Sequence, residues 1–181
     1  MQWEVTARVL AVAHAAHGGN DLWRRARAEL EQLRDETEET VLLVVPDVHN
    51  FVVADVVESR QMLRVVLQIG TTVEAKRTAT GRAMLPFLEV QRQMELLGGP
   101  PDRKLLEIYE RTRELGYATS EGEVNPATTS LASALFDFVG RPIGAVVVCG
   151  PRERLTKNVQ KKVGAAVTGA ARHLSSCMLK R

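Results

Sequence analysis

Cysteine is nearly missing from this chain: Cys149 and Cys177 are the two present among 181 residues. Two thiols this far apart build no disulfide framework, so the chain is expected in a reducing compartment, the cytoplasm. Aromatic residues are also few, at 4%, and none lies in 152–181, where basic side chains gather. A basic stretch without aromatics lacks the stacking platform that holds single-stranded nucleic acid. No apolar run approaches the roughly 18 residues of a membrane span, and the N-terminus shows no secretory leader pattern. His14 and His17 stand three apart on a helical segment with no third ligand nearby, so no metal site and no cofactor is expected.

What is present belongs to an ordinary globular protein. Hydrophobic residues at 45% and charged residues at 25%, over a length typical of one large domain, suffice to bury a core. The net charge of +2 hides an asymmetry, since 152–181 carries +7 and 1–151 carries −5. The basic end reads as a solvated helix face, and this chain alone is not expected to bind DNA.

Val5, Val9, Val12 and Ala16 recur at helical spacing, which predicts an amphipathic helix over 4–17 stopped by Gly18-Gly19. Its narrow apolar stripe suits pairing with another helix, including one from a second copy. Asn20 or Asp21 caps a second helix carrying Leu22, Ala26, Leu30 and Leu33 on one face. The acidic turn of Glu36, Glu38 and Glu39 after it is expected to be exposed. Val41–Pro46 and Phe51–Glu58 are valine-rich runs joined by Asp47-Val48-His49-Asn50, a hairpin signal, and Met62–Ile69 reads as a third strand. A helix from Thr78 continues, with a break near Pro86, through Glu89–Leu97 to Gly98-Gly99-Pro100. Pro101 opens another at its first turn, with Leu105, Ile108, Tyr109, Thr112 and Leu115 on one side and Gly116 as the stop.

Three strands follow, at Tyr117–Glu121, Thr129–Phe138 and Pro142–Cys149, the last two turning at Val139-Gly140-Arg141. A final helix from the N-cap Thr156 is expected to bury Val159, Val163, Ala166, Ala170 and Leu174. Hairpin-linked strands with helices grouped between them argue an α+β fold, an antiparallel sheet of about six strands flanked by helices. Within it, Gly70–Leu85 (G-T-T-V-E-A-K-R-T-A-T-G-R-A-M-L) reads as a ligand-facing loop running into a buried helix. Thr78 is its N-cap, and Ala79, Gly81, Ala83 and Met84 allow close packing. Such a start leaves backbone N–H groups free for a carboxylate or phosphate.

Several stretches carry a resemblance: Leu33–Val45, Leu63–Gly70, Thr78–Ala83 (T-A-T-G-R-A), Arg113–Ala118 (R-E-L-G-Y-A), and Gly140–Pro151 followed by Arg154-Leu155-Thr156. In this order and spacing, from about Arg8 to the C-terminus, the chain resembles the C-terminal effector-binding domain of the isocitrate-lyase-regulator (IclR) family of bacterial transcription factors. The resemblance implies a GAF/PAS-like sheet, a small-molecule effector, a homodimer or homotetramer, and the role of a transcription regulator such as a repressor, not an enzyme. Operator DNA would be read only by a winged helix-turn-helix domain ahead of this one. On that basis residues 1–19 are expected to be the remnant of the linker helix and 20–181 the effector-binding domain, in an excised piece of a longer protein. No membrane partner is implied.

Alignment with the family puts Met62, Val65, Ala79, Thr80, Ser120, Thr128, Ser130, Val147 and Cys149 around the effector. Several depart from the family's habit. Ser120 stands where an acidic residue is common and Ser130 where cysteine is common. Val147 and Cys149 replace a pair of serines, and Lys76-Arg77 replaces His-Ala. Losing paired hydroxyls removes donors and adds apolar surface, which predicts an effector larger or less polar than a two- or three-carbon oxoacid, such as an aromatic or branched acid. Lys76 or Arg77 is placed to meet its carboxylate. Val147 equally suits plain core packing and Cys149 a small buried hydrophobe. Two other functions compete: a stand-alone GAF-like metabolite-binding module, and an enzyme using Cys149 as nucleophile. The enzyme is disfavoured because no His, Asp or Glu stands beside Cys149 in sequence and Val147-Val148 make its surroundings apolar.

Overall fold

The computed structural model describes residues 21–179. The helix expected over 4–17, the Gly18-Gly19 break, His14, His17 and the division at residue 19 lie outside the described residues. Helix α1 runs Asp21–Thr37. Strands β1 (Thr40–Pro46) and β2 (Phe51–Val57) follow as the expected hairpin, with the Asp47 N–H donating to the Asn50 carbonyl at 2.8 Å. Next come β3 (Thr72–Val73), α2 (Ala79–Met84), one 3-10 turn at Leu85–Phe87, α3 (Val90–Leu97) and α4 (Arg103–Leu115). Strands β4 (Ala118–Glu121), β5 (Thr128–Phe136) and β6 (Pro142–Pro151) precede α5 (Lys157–Leu179). The six strands make one antiparallel sheet in the order β3-β2-β1-β6-β5-β4. The fold is α+β, as the sequence implies.

Side chains alternate across a strand, so each central strand serves two layers. Val41, Leu43, Leu131, Val146 and Val148 face α1 and α5, where they pack with Leu30, Leu33, Val163, Val167 and Leu174. Leu42, Val44, Ala132, Ala145 and Val147 face the other way, against Ala79, Ala83, Met84, Leu85, Leu105 and Tyr109 of α2, the 3-10 turn and α4. Burial on both faces is why β1 and β6 read as unbroken apolar runs. The register of β1 with β2 shifts between Leu43, opposite Asp55, and Val44, opposite Val53. This bulge turns both Ala54 and Asp55 toward α1, where the Asp55 carboxylate accepts from Arg27 Nη1 at 2.6 Å.

Three expectations are corrected. Met62–Ile69 is not a strand: it runs as irregular chain, and the edge of the sheet passes to the two-residue β3. Its apolar alternation resembles a half-buried strand, yet Met62, Leu63, Val66 and Ile69 are all exposed. Pro101 lies before α4, whose N-cap is Asp102, the carboxylate accepting from the Leu105 N–H at 2.8 Å. Val159, in the first turn of α5, is 39% exposed, and the buried stripe of that helix starts at Val163.

Candidate functional site

Strand register assembles a floor. Ser120 pairs with Ser130, Ser130 with Cys149, and Cys149 with Thr40. Four small polar side chains therefore line up across β4, β5, β6 and β1. Two residues along each strand, and so on the same face, Ala118, Ala132, Val147 and Leu42 form an apolar row behind them. These residues pack with Ala79 and Ala83 of α2, which places α2 over the floor.

Each polar group of the row has a partner of its own. The Ser130 hydroxyl donates to Cys149 Sγ at 3.1 Å. Burial pushes the Cys149 thiol up, with the Glu39 charge adding to the shift and the Ser130 bond opposing it. The Ser120 hydroxyl lies 2.9 Å from the Arg77 carbonyl and 3.0 Å from Glu123 Oε2. Thr40 donates to the Val65 carbonyl at 2.7 Å, so Val65 reaches the row through its backbone. Thr128, two residues beyond the row on β5, donates to the Asn125 carbonyl at 3.1 Å. Val147, Ala79 and Thr80 are buried, whereas Met62 is 98% exposed and stands apart from the others.

The entrance to α2 is built from close packing and arginines. The Gly81 N–H donates to the Thr78 hydroxyl at 3.1 Å. A Cβ on Gly81 would lie 1.7 Å from the Ala75 carbonyl oxygen, so only glycine lets the helix sit this near the preceding turn. Arg77 donates to the Glu123 carbonyl, while Arg82 Nη1 reaches Glu123 Oε1 at 2.8 Å and the Thr119 carbonyl at 2.7 Å. Arg82 Nε is buried with no partner among the described residues. Burial works to raise the Glu123 carboxyl, but the Arg82 bond and charge, helped by Ser120, outweigh it and hold it below the usual carboxylate value. Lys76 is exposed.

Glu39 is a further correction: it is buried, not exposed. Its carboxylate accepts from Arg154 Nε at 2.5 Å and Nη2 at 2.8 Å, and Nη2 also donates to the Leu63 carbonyl at 2.8 Å. Arg154 and Thr40 together hold residues 63–65 against the end of the sheet. Sequence reasoning did not single out Thr40, Glu123 or Arg154 for the site. Thr40 was legible, because it continues the alternation of Leu42 and Val44 on one face; the charged partners of Glu123 and Arg154, Arg82 and Glu39, are distant in sequence and leave no local signal. An open cleft of about 390 Å³, lined by Arg82, Tyr117, Ala118, Thr119, Glu123 and Gln160 among others, adjoins the floor through Ala118 but contains none of the residues expected around the effector. Among the described residues, no cluster of three His, Cys, Asp or Glu could hold a metal ion, and no helix is long and apolar enough to cross a membrane.

Known proteins share this architecture. The family model described as "Bacterial transcriptional regulator IclR C-terminal" matches residues 14–176. The chain is 25% identical to the HTH-type transcriptional repressor AllR of Escherichia coli (strain K12) over 187 residues, covering 97% of this chain and 69% of that protein. It is 26% identical to the acetate operon repressor of Salmonella typhimurium over 190 residues, covering 96% of this chain and 68% of the relative. In fold it matches the Thermotoga maritima IclR crystal structure with a TM-score of 0.79 at 24% identity, over 88% of this chain and 69% of that one. Pseudomonas aeruginosa HmgR matches with a TM-score of 0.78 at 25% identity, over 95% and 73% of the two chains.

Proposed function

The chain belongs to the IclR family of bacterial transcriptional regulators, as their C-terminal effector-binding domain, and from that premise we propose that it senses a monocarboxylic acid less polar than glyoxylate or pyruvate. The family is one of regulators, not enzymes, so Cys149 has a binding task here rather than a catalytic one. The observation that carries the ligand reading is the Ser130 hydroxyl donating to Cys149 Sγ at 3.1 Å. Sulfur is a weak acceptor, so this donor passes to a ligand carboxylate at little cost, whereas a hydroxyl already bonded to a carbonyl would not. Behind it, Val147, Ala132 and Leu42 offer apolar surface for the body of the acid. Lys76, exposed at the entrance to α2, attracts the carboxylate on its way in.

Effector bound between the floor and α2 pulls on elements already tied to the floor. Ser120 bonds the backbone at Arg77, just ahead of α2, and Thr40 bonds the backbone at Val65. A shift of these elements, passed through a homodimer or homotetramer and a connector over residues 1–19, changes operator binding by a helix-turn-helix domain ahead of residue 20. Coupling of about 1–3 kcal/mol suffices for a 5- to 150-fold change in affinity. The cytoplasm is the compartment such a regulator works in.

Isothermal titration with branched and aromatic monocarboxylates beside glyoxylate and pyruvate tests the ligand class. Binding of the larger acids is the expected result; tight binding of glyoxylate or pyruvate with none of the larger acids overturns it. An immunoblot of the source cell against this domain tests the regulatory half. A product of this chain's own length would replace the regulator by a stand-alone metabolite-binding module.

A further inference from the structure

We infer that the open cleft beside β4 is a second ligand site, distinct from the floor it adjoins, and that it takes a zwitterion: a free amino acid with an apolar side chain. The inference stands apart from the effector reading above. Side chains alternate along β4 and the residue before it. Ser120 looks onto the floor, whereas Tyr117, Thr119 and Glu121 fall on the opposite face and line the cleft. β4 is an outer strand of the sheet, so the cleft opens past its free edge, with Ile108, Arg111 and Leu115 of α4 as a wall. Its volume of about 390 Å³ lies within the range of small-molecule sites, about 300–1,000 Å³.

Arg82 supplies the place for a carboxylate. Both of its protein acceptors, Glu123 Oε1 at 2.8 Å and the Thr119 carbonyl at 2.7 Å, are met by Nη1. Its Nε–H is buried without an acceptor, and Nη2 has none either among the described residues. Nε and Nη2 are the pair with which Arg154 grips the Glu39 carboxylate, at 2.5 and 2.8 Å. In Arg82 the same fork is open, and a buried guanidinium N–H left without an acceptor is costly. A carboxylate is the group that fits such a fork with two bonds.

Glu121 supplies the place for an ammonium. Glu123 is already met by Arg82, Ser120 and its own backbone N–H. Glu121 accepts from Gln160 Nε2 at 3.0 Å and pairs with no cation among the described residues. Arg111 lines the same cleft, exposed and equally without an ion-pair partner among them. A plain carboxylic acid would fill the fork of Arg82 and leave Glu121 unmatched, and a plain amine would do the reverse. An amino acid carries both charges, and Arg111 adds to the attraction on its carboxylate. Ile108, Leu115 and Tyr117 offer apolar surface to its side chain.

The test is calorimetric titration of leucine and phenylalanine into the chain, each against the amine that lacks only the carboxylate, isoamylamine and 2-phenylethylamine. Each amino acid is expected to bind at least about tenfold more tightly than its amine. Glu121→Gln keeps the size and removes the charge, and should weaken both amino acids by at least about tenfold. Glu121 is half-buried at the end of β4, so the substitution empties no core. Arg82→Lys keeps the charge but not the fork. It should bring each amino acid close to its amine while leaving the amine unchanged, a split that a merely structural loss would not produce. Failure of both amino acids to bind at millimolar concentration overturns the inference. So does an amine that matches its amino acid, which would mean that water and not a carboxylate fills the fork of Arg82. Affinity that survives Glu121→Gln would put the amino acid elsewhere, the floor included, and equally overturns it.

Discussion

Arg154 grips the buried carboxylate of Glu39 with two bonds, at 2.5 and 2.8 Å, across 115 positions of sequence. The pair clamps the start of β1 to the turn after β6. Gly150 makes room for it, because a Cβ there would lie 2.4 Å from the Glu39 carboxyl carbon. The second bond of Arg154 Nη2, to Leu63, extends the clamp to the irregular segment that borders the floor of the site.

Arg154→Ala leaves an uncompensated carboxylate with 2% exposure. Removing one partner of a buried pair costs about 3–5 kcal/mol, and the partial exposure of Arg154 lowers the expectation to about 2–4 kcal/mol. Urea unfolding reads this directly. Arg154→Lys should recover only part of the loss, because an ammonium cannot make the two-pronged contact. An Arg154→Ala protein as stable as the native one would show that the clamp holds nothing.

Gly81→Ala should invert a familiar sign. In an open helix, alanine is better than glycine by about 1 kcal/mol. Here the new Cβ would meet backbone oxygen at 1.7 Å, and α2 must move off the preceding turn. Destabilisation beyond about 2 kcal/mol is expected, together with a loss of effector affinity measured by titration. A rise in melting temperature would contradict the packing described.

Glu38 occupies the left-handed region, with φ of 59°, and its N–H closes α1 by donating to the Arg34 carbonyl at 2.7 Å. Glycine adopts that conformation without the strain of a side chain. Glu38→Gly should therefore stabilise the protein by about 0.5–1 kcal/mol, seen as a higher melting temperature.

Tyr109 is buried among α4 and α2 with its hydroxyl unpartnered among the described residues. Burial pushes its phenol from 10.0 up to about 12, with Asp102 adding to the shift and Arg113 opposing it. The folded state thus holds this proton more tightly than the unfolded state. Its stability contribution is complete below pH 10 and is lost as the pH rises from 10 towards 12. Tyr109→Phe should remove that alkaline loss, and at neutral pH should gain about 1 kcal/mol by deleting an unpaired hydroxyl. Denaturant melts at pH 7 and pH 11 compare the two.

The raised thiol of Cys149 predicts slow alkylation by iodoacetamide near neutral pH, with the half-buried Cys177 labelled first. Mass spectrometry of timed samples gives the order. Rapid, selective modification of Cys149 would demand a cation or base beside it that is not found among the described residues.

The pattern of apolar residues announced the helices, the hairpins and the number of strands, because burial on one or two faces leaves periods that survive in a single sequence. It misplaced one strand. Met62–Ile69 alternates like a strand, but alternation records which side chains could share a face, not whether a neighbouring chain offers a ladder. The edge of β2 is taken up by Thr72–Val73 instead, and 62–69 is held by Arg154 and Thr40. Glu39 was misread for a related reason. A charge next to a helix end is normally solvated, and nothing near it in sequence reports a guanidinium 115 residues away.

The sequence by itself determined the α+β layering, the N-cap at Thr78, the small residues that let the following helix pack closely, and membership of a family whose domains bind effectors. These are local or statistical properties, written in period and in residue order. Only the tertiary structure decided that Ser120, Ser130, Cys149 and Thr40 share one row, and that Glu123 and Arg82 pair at its end. Register is a relation between strands, and an ion pair is a relation among groups brought together by folding. Neither exists until the chain has met itself.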